Sequence, residues 1–442
     1  MRVEIAYGKS GIEVEVPDRW HPVVVRGAQT TPLLDPRQSL ADALANPIQS
    51  VPLAQIVEGL RRDRMASESQ RLTAGIAFND VTRATPNDLI VSSIVEVLLK
   101  AGMAPQDITL FNATGTHRTN TPDELRGILG EEISSRFRVV QNECGAASIH
   151  THVGTTKGGN AVRVLTRFLE QDIRIATGFI EPHFFAGYSG GGKAVVPGLA
   201  DLTTILFNHR AAHMDHPEVT WGRTTGNPLW EDLAEAASFV DPIFLVNVTM
   251  NSDKAITGIF AGEHNEAHRL GCAEVERHAS VAIDREFDIV LTSNSGFPLD
   301  LNLYQAGKGM SAAARVVRTG GEVVMAAECW DGIPDHGLFA QLLAEAGTPE
   351  ELLERVRSPK YRVQDAWEAH ILALVRTKAR VTVVSEGLQE ADLPPMIVEK
   401  AKTVEEALSI AAERIDGTPS LCILPDGPLT IPVATSPASA HP

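Results

Sequence analysis

The segment from 173 to 210 brings residues that could do chemistry close to a glycine-rich turn. It contains His183, Lys193 and His209. Glycines at 187 and 190 to 192 permit backbone conformations that other residues avoid, and they leave room for a ligand near the main chain. Lys193 would then point into a pocket floored by backbone N–H groups, which suits an anion. A tight turn with a solvated Lys is the alternative; a P-loop fits poorly because Ala follows the Lys.

Similar polar clusters follow other predicted strands. Asp80 and Arg83 follow an apolar run at 72–78, and His117 follows another at 108–112. In open α/β sheets, ligands bind outside the carboxyl ends of strands. We therefore expect these clusters to meet at one edge of a sheet. The alternative is an exposed ion pair for Asp80 and Arg83, and an exposed loop residue for His117.

Other histidines raise the possibility of a metal site held by side chains alone. His209 and His213 are four residues apart, which would place them on one helical face. A zinc site is possible there, although the H-E-x-x-H pattern is absent. His264 and His268 repeat the spacing in a polar helix, where we expect solvated side chains.

The patterns predict an α/β fold of two α/β domains with a cofactor and substrate cleft between them, the second domain being Rossmann-like. A hairpin is predicted at 3–16, and strands at 72–78, 108–112, 173–180, 288–291, 322–327 and 381–385. Capped helices are predicted to start after Thr85, Thr121 and Thr348. We expect a first domain at 1–284, completed by a returning tail at about 419–435, and a second domain at 285–418.

Composition limits the function classes. The 442 residues carry a formal net charge of −17, which argues against a nucleic-acid surface because phosphate binding depends on clustered Lys and Arg. The four cysteines form no C-x-x-C pair or disulfide framework, as expected for a reduced cytoplasm. No signal peptide or membrane-length apolar run is evident in the sequence, so we expect a cytoplasmic protein without a membrane partner.

The motif EPHFFAGYSGGGK at 181–193, followed by the pair at 208–209, resembles the lactate racemase family. That family comprises nickel-dependent 2-hydroxyacid racemases and epimerases that use a nickel-pincer nucleotide. Three further segments match its motifs in the same order: NDVTR at 79–83, GTHR at 115–118 and LDLNLYQAGKGM at 299–310. Four separated motifs in one order make chance agreement improbable. The departure is Gly192, where many relatives have a basic residue.

The resemblance implies a role for each matching position. His117 and His183 would be the catalytic acid/base pair, and Arg83, Gln305 and Lys308 would bind the substrate. The positions implied to bind the cofactor are Asp80, Thr82, Gly190, Gly191, Lys193, His209 and Tyr304. The metal would be held by His209 and, through the cofactor, by Lys193. The implied partners are a small-molecule 2-hydroxy acid and the enzymes that make the cofactor.

These residue types suit the chemistry of a 2-hydroxy acid. Its α-hydrogen is poorly acidic because the neighbouring carboxylate resists a second negative charge, and removal as hydride avoids the dianion. The planar 2-keto acid can take the hydride back on either face, so each enantiomer needs its own base. Histidine, whose unperturbed pKa is about 6.5, can accept and return the hydroxyl proton, and an Arg grips the carboxylate with two donors.

Two other functions remain open from the residues alone. A nicotinamide-dependent 2-hydroxyacid dehydrogenase would also use Arg, His and a doubly wound sheet, but no G-x-G-x-x-G opens a helix after a strand. A non-catalytic metal-binding module could use His209, His213 and Lys193 without turnover. We prefer the racemase because the two proposed bases lie on separate loops, which metal storage does not require.

Overall fold

The computed structural model describes residues 1–65, 71–335, 337–393 and 397–435. Its strands, in chain order, are β1 Arg2–Ile5, β2 Ile12–Glu15, β3 Val23–Val24, β4 Ala74–Asn79, β5 Ile108–Ala113, β6 Arg138–Gln141, β7 His150–Thr155, β8 Ala161–Leu165, β9 Ile173–Phe179, β10 Pro182–His183, β11 Gly187–Tyr188, β12 Ile243–Met250, β13 Ile256–Glu263, β14 Ser280–Ile283, β15 Phe287–Ser293, β16 Val317–Ala326, β17 Ala379–Val384, β18 Glu399–Ala401, β19 Leu421–Leu424 and β20 Ile431–Ala434.

The α-helices are α1 Pro36–Ala45, α2 Leu53–Met65, α3 Asn87–Lys100, α4 Pro122–Leu129, α5 Glu131–Arg136, α6 Thr166–Leu169, α7 Leu202–Asn208, α8 Ala211–Met214, α9 Pro228–Ser238, α10 His264–Ala279, α11 Leu303–Ala314, α12 Phe339–Ala344, α13 Pro349–Arg357, α14 Ala366–Lys378 and α15 Val404–Glu413. Helices therefore alternate with strands through most of the chain, as the predicted α/β class requires.

Two six-stranded sheets organise the molecule. The first has the order β13-β12-β9-β4-β5-β6, with β13 antiparallel to β12 and the other neighbours parallel. The second has the parallel order β18-β17-β16-β15-β19-β3. In each sheet the chain adds strands first on one side of the first long strand and then on the other. The change of direction lies between β4 and β9 in the first sheet and between β15 and β19 in the second. The prediction of two α/β units with a Rossmann-like second one is confirmed.

Segments at both ends of the chain pack with the second unit, although we expected them in the first domain. The β1–β2 hairpin packs its apolar face, including Ile5 and Val14, against β15, β16 and α15 of the second sheet's unit. β19 lies within the second sheet, whereas we expected it to return to the first domain. Only β20 pairs where we expected, in parallel with β14. The reason is burial, because two-stranded elements are stable only when an apolar face is covered.

The helix starts follow local rules with one exception. Thr121 caps α4 in a complete capping box with Glu124, as predicted, and Thr348 caps α13. Thr85 does not cap α3: its hydroxyl donates to Asn79 Oδ1 at 2.9 Å, and the helix begins at Asn87. Thr85 instead ties the strand exit to the helix, which fixes the loop that carries Asp80 and Arg83.

Candidate active site

The polar clusters after β4, β5 and β9 meet at the point where the first sheet reverses its winding. They line one side of a cavity of about 950 Å³, its open mouth included. Helices α11 and α14 of the second unit form the facing wall, so the cavity lies between the two sheets. The lining residues that the sequence predicted are Asp80, Arg83, His117, His183, Gly190, Lys193, His209, Tyr304, Gln305 and Lys308.

A chain of hydrogen bonds fixes the tautomer of His117. Lys308 Nζ donates to Gln305 Oε1 at 2.6 Å, which leaves the amide NH₂ of Gln305 on the side of His117. That NH₂ lies 3.4 Å from His117 Nε2, at the long end of the hydrogen-bond range. On the other side, His117 Nδ1 lies 2.7 Å from the buried Asp80 Oδ2. His117 therefore keeps its proton on Nδ1 and presents the lone pair of Nε2 to the cavity.

Asp80 is buried but remains a carboxylate. Burial by itself raises its pKa, and the charge and hydrogen bond of His117, with help from Arg83 and Thr82, outweigh burial and lower the pKa. Thr82 does not line the catalytic cavity: its hydroxyl donates to Asp80 Oδ1 at 2.8 Å from behind. Thr82 and Asp80 thus act on the site through His117.

His183 presents the opposite tautomer. The backbone N–H groups of Phe185 and Ala186 point at its Nδ1, at 3.5 and 3.3 Å. Because backbone N–H groups only donate, Nδ1 is the acceptor and the proton of the neutral ring sits on Nε2. Burial, then the positive charges of Lys193, Arg83, Lys308 and His209, lower the pKa of His183 well below its ordinary value. The ring is therefore neutral in the absence of bound anions.

Lys193 stands on the glycine-rich turn as a reactive amine. Burial, followed by the charges of Arg83 and Lys308, lowers its pKa from 10.5 to about 7, with Glu181 acting in the opposite direction. A large fraction of the amine is therefore unprotonated near neutral pH, which is the nucleophilic form. Its Nζ lies 5.6 Å from the centre of the Phe185 ring.

The glycines of this turn mainly allow close packing. Gly190 lines the cavity with φ 78°, and a Cβ on it would lie 2.6 Å from Asn247 Oδ1. Gly191 lies below the turn: its N–H donates to Asn247 Oδ1 at 2.7 Å, and a Cβ on it would meet His268. The N–H of Gly191 is thus engaged inside the protein and does not contribute to the anion pocket that we expected beneath Lys193.

His209 is arranged as a neutral ligand. Its Nδ1 lies 3.2 Å from the carbonyl oxygen of Ile205, so Nδ1 carries the proton and the Nε2 lone pair is free. Burial, and then the charge of Lys193, lower its pKa to about 3. Phe185 and Trp367 hold the ring, with centroid distances of 5.2 and 5.0 Å. A buried neutral imidazole with a backbone acceptor on its other nitrogen is the usual form of a metal-binding His.

Three residues that the sequence did not single out complete the cavity. Glu181 accepts from Arg83 Nη1 at 3.2 Å and so orients the guanidinium. Trp367 donates from Nε1 to the Tyr304 hydroxyl at 2.9 Å. Glu368 is 2 % exposed, and its Oε1 has no hydrogen-bond partner among the described residues. Glu181 could have been suspected from its place beside Pro182, but nothing in the α14 sequence indicates a site.

Several histidines lie away from the cavity. His213 belongs to a separate short helix from His209, and its Nδ1 lies 2.7 Å from the Asn208 carbonyl oxygen. His264 and His268 are 2 % and 5 % exposed, so our expectation of solvated side chains is wrong. His268 packs beneath the glycine-rich turn, with Nε2 at 2.8 Å from the Ser189 carbonyl oxygen, whereas His264 Nδ1 lies 3.0 Å from Asp241 Oδ1. In the described part of the chain, no group of three His, Cys, Asp or Glu side chains could hold a metal.

The donor set fits a nickel-pincer nucleotide. A nucleophilic amine on Lys193 and a free imidazole nitrogen on His209 face the same cavity, beside the flat rings of Phe185 and Trp367. Imidazole nitrogen is a suitable nickel ligand. Arg83, Lys193 and Lys308 also line this cavity, and each can pair with an anionic group of the cofactor or substrate.

Comparisons with known proteins agree with this arrangement. The family model for the lactate racemase N-terminal domain matches residues 7–222, and the model for the lactate racemase C-terminal domain matches residues 283–431. The chain is 31% identical over 429 residues to a lactate racemase of Thermoanaerobacterium thermosaccharolyticum, covering 96% of this chain and 97% of that protein. It is 32% identical over 431 residues to a lactate racemase of Lactiplantibacillus plantarum, covering 96% and 98%.

Solved structures show the same similarity. The lactate racemase apoprotein from Thermoanaerobacterium thermosaccharolyticum superposes with a TM-score of 0.86 at 30% identity, covering 98% of this chain and all of that one. A protein from Thermotoga maritima shares the fold at 19% identity, with a TM-score of 0.66 and coverage of 88% and 99%. In the described ranges, none of the helices has the length and apolar character needed to cross a membrane.

Proposed function

This chain belongs to the lactate racemase family, and on that premise we propose that it interconverts the two configurations at C2 of a 2-hydroxy acid. It is accordingly a racemase, an isomerase that acts on a small molecule. The observation that carries the proposed reaction is the shared cavity. Two histidines from separate strand exits face it together with a reactive amine and a free imidazole nitrogen.

The substrate would be held by its carboxylate. Arg83 and Lys308 supply positive charge from opposite walls of the cavity, and Glu181 orients the guanidinium for a two-pronged grip. Burial, followed by the charge of Arg83, lowers the pKa of Lys308, and a bound carboxylate would return that lysine to its ammonium form. The same grip would retain the 2-keto acid between the two halves of the reaction.

The two histidines would exchange the hydroxyl proton of the substrate. His117 has a lone pair on Nε2, which meets the Gln305 amide only at a long 3.4 Å, and a buried carboxylate behind Nδ1. It can therefore act as a base, and Asp80 would stabilise the imidazolium that forms. His183 begins as a neutral ring with its Nε2 proton in place. The anionic substrate and cofactor would offset the nearby cations and raise the pKa of His183, so that it can carry the second proton.

We propose that Lys193 and His209 hold a nickel-pincer nucleotide, Lys193 through its side-chain nitrogen and His209 through Nε2. When bound, this cofactor supplies the hydride acceptor that the protein itself lacks. Phe185 and Trp367 pack against the His209 ring and keep it in place. Asp80, Thr82, Tyr304, Gly190 and Gly191 complete the proposed cofactor environment, Thr82 and Gly191 from outside the cavity.

We also propose that the chain depends on the enzymes that build the cofactor. Its four cysteines, at 144, 272, 329 and 422, are all unpaired, which supports a reducing compartment such as the cytoplasm. The proposed division near residue 284 falls in the short connection between β14 and β15.

The test is to produce the protein with the cofactor-making enzymes and measure nickel content, intact mass and racemisation by chiral chromatography. Stoichiometric nickel with a mass increase that is lost in Lys193→Ala supports the tether. His117→Ala and His183→Ala should each lower racemisation by at least about 100-fold, the lower range for loss of a general acid/base. Full activity in either variant would refute these roles, and net consumption of NAD would indicate a dehydrogenase.

A further inference from the structure

The carboxyl group of Glu368 lies in the wall that α11 and α14 form on one side of the catalytic cavity. Glu368 belongs to α14, lines the cavity and is 2 % exposed. Its Oε1 lies over Gly307 of α11, where a Cβ would come within 2.3 Å of that oxygen. Oε1 is closed off there and has no hydrogen-bond partner among the described residues. Oε2 is therefore the oxygen that can reach a ligand in the cavity.

Three carboxyl groups of the described residues line this cavity, and two of them are fixed as carboxylates. Asp80 Oδ2 lies 2.7 Å from His117 Nδ1, and Glu181 accepts from Arg83 Nη1 at 3.2 Å. The third, Glu368, receives no such bond at Oε1. A buried carboxylate without donors is costly, whereas a neutral carboxylic acid is much less so. Glu368 is therefore the carboxyl of the cavity that can be protonated.

The charge of Glu368 matters most when an anionic substrate binds. Glu181 already offsets Arg83, and an ionised Glu368 would offset Lys308, so the substrate carboxylate would be left without a free cation. Burial raises the pKa of Glu368 to about 8, and the charge of Asp365 acts in the same direction. The charges of Lys308 and Arg83 oppose the rise. A neutral Glu368 leaves Lys308 available to the substrate.

We propose that Glu368 is a substrate-binding residue, which as a neutral carboxylic acid donates its O–H to the substrate carboxylate that Arg83 and Lys308 hold. This inference rests on the proposed function. Where Glu368 is ionised in the free protein, it takes a proton from solvent as the substrate binds and returns it as the product leaves, so no net proton is consumed. Such an O–H···O⁻ bond is charge-assisted and roughly twice as strong as a neutral hydrogen bond.

The test counts the protons that are taken up when lactate binds to the nickel-loaded protein. Racemic lactate is the probe, because a racemate is already at equilibrium and its interconversion releases no net heat. Calorimetry at about pH 9, in buffers of different ionisation enthalpy, gives the proton number. We expect about two protons in the wild type, one for Lys308 and one for Glu368. Glu368→Gln should take up about one.

Other ionisable groups near Glu368 do not add to this count. Burial raises the pKa of Asp365 to about 6, so it stays ionised at about pH 9. Burial raises the pKa of the Tyr304 hydroxyl well above its ordinary value, so it stays neutral. Arg83 keeps its charge, and Lys193 is tethered in the loaded protein. The difference between wild type and Glu368→Gln thus belongs to Glu368.

Three variants test the hydrogen bond itself, each after its nickel content has been measured. At about pH 7, Glu368→Leu should weaken lactate binding by about 10- to 100-fold, because it removes a bond to a charged group. Glu368→Gln keeps a donor and should restore binding to within about threefold of wild type. At about pH 9 it should bind about 10-fold more tightly than wild type, which must first take up a proton. Glu354→Gln, on the exposed face of α13, is the matched control and should change nothing.

The outcomes separate this inference from the proposed function. Equal proton numbers in wild type and Glu368→Gln, full lactate affinity in Glu368→Leu, or tighter binding by Glu368→Gln already at about pH 7 would overturn the inference and leave the racemase intact. Loss of nickel in Glu368→Leu would assign the carboxyl to the cofactor and would also overturn it. Failure of the loaded wild type to interconvert the enantiomers of lactate would overturn the proposed function for lactate and this inference with it.

Discussion

Replacing Lys193 by Met should stabilise the protein before the cofactor is loaded. The pKa of Lys193 falls from 10.5 to about 7 on folding because the amine is buried beside Arg83 and Lys308. At about 1.4 kcal/mol per pKa unit, this shift corresponds to a cost of at most about 5 kcal/mol for keeping the ammonium in the folded protein. The side chain is half-buried and can draw on cavity water. We therefore expect Lys193→Met to raise the free energy of unfolding by about 2–3 kcal/mol, less than the full cost.

The sign of the pH dependence follows from the direction of the shift. Between the folded pKa of about 7 and the unfolded value of 10.5, the folded protein binds fewer protons than the unfolded chain. Wild-type stability therefore gains from Lys193 as pH rises through this window. Met does not titrate, so the advantage of the variant is full below pH 7 and is lost as pH approaches 10.5.

The assay is urea unfolding of the unloaded protein at about pH 6.5 and at about pH 9.5, with the slope of each transition compared. The matched control is Lys157→Met, since Lys157 is exposed and a surface substitution should stay within about 0.5 kcal/mol at both pH values. A destabilised Lys193→Met, or a stabilisation that does not shrink at the higher pH, would refute the argument that burial disfavours the ammonium.

Three further predictions test other parts of the site. Asp80→Asn in the nickel-loaded protein should lower kcat/KM by about 10- to 100-fold, because a hydrogen bond to a charged group is worth about 1.5–3 kcal/mol; unchanged kinetics would contradict the assigned His117 tautomer. His209→Ala should lose nickel in metal analysis yet retain the mass increase on Lys193; retained nickel would assign the ligand elsewhere. Gly192→Arg should lower the free energy of unfolding by about 1–3 kcal/mol, because a Cβ there would lie 2.5 Å from the Ala237 Cβ. Thermal unfolding checks this, and Ala237→Gly should restore part of the loss; an unchanged Tm in Gly192→Arg would show that the helix can move away.

Gly192 lies too close to α9 to carry the basic side chain that many relatives have at this position. The Gly192 Cα faces α9 at a distance that leaves no space for a side chain. The basic residue of the relatives therefore has no equivalent at this position. The basic side chains that line the proposed cofactor cavity are instead those of Arg83, Lys193 and Lys308.

The sequence by itself determined the local structure of the site. Short β-branched runs ended in polar loops at Asp80, His117 and His183, and parallel strands present their carboxyl ends at one edge of a sheet, so these residues could be expected to meet. The capping box of Thr121 and Glu124 also depends only on residues close in sequence, and this prediction was confirmed.

Only the tertiary structure decided which partners these residues have. Glu181, Trp367 and Glu368 reach the cavity through contacts between elements far apart in the chain. The tautomer of His117 depends on the Asp80 carboxylate, and that of His183 on backbone N–H groups, and no sequence pattern encodes the direction of either contact. The N-terminal hairpin packs against the second sheet's unit, and β19 pairs within the second sheet, because apolar burial is non-directional and selects the face that covers most surface. Local backbone preferences thus determined where the loops lie along the chain, and long-range packing determined which groups their side chains contact.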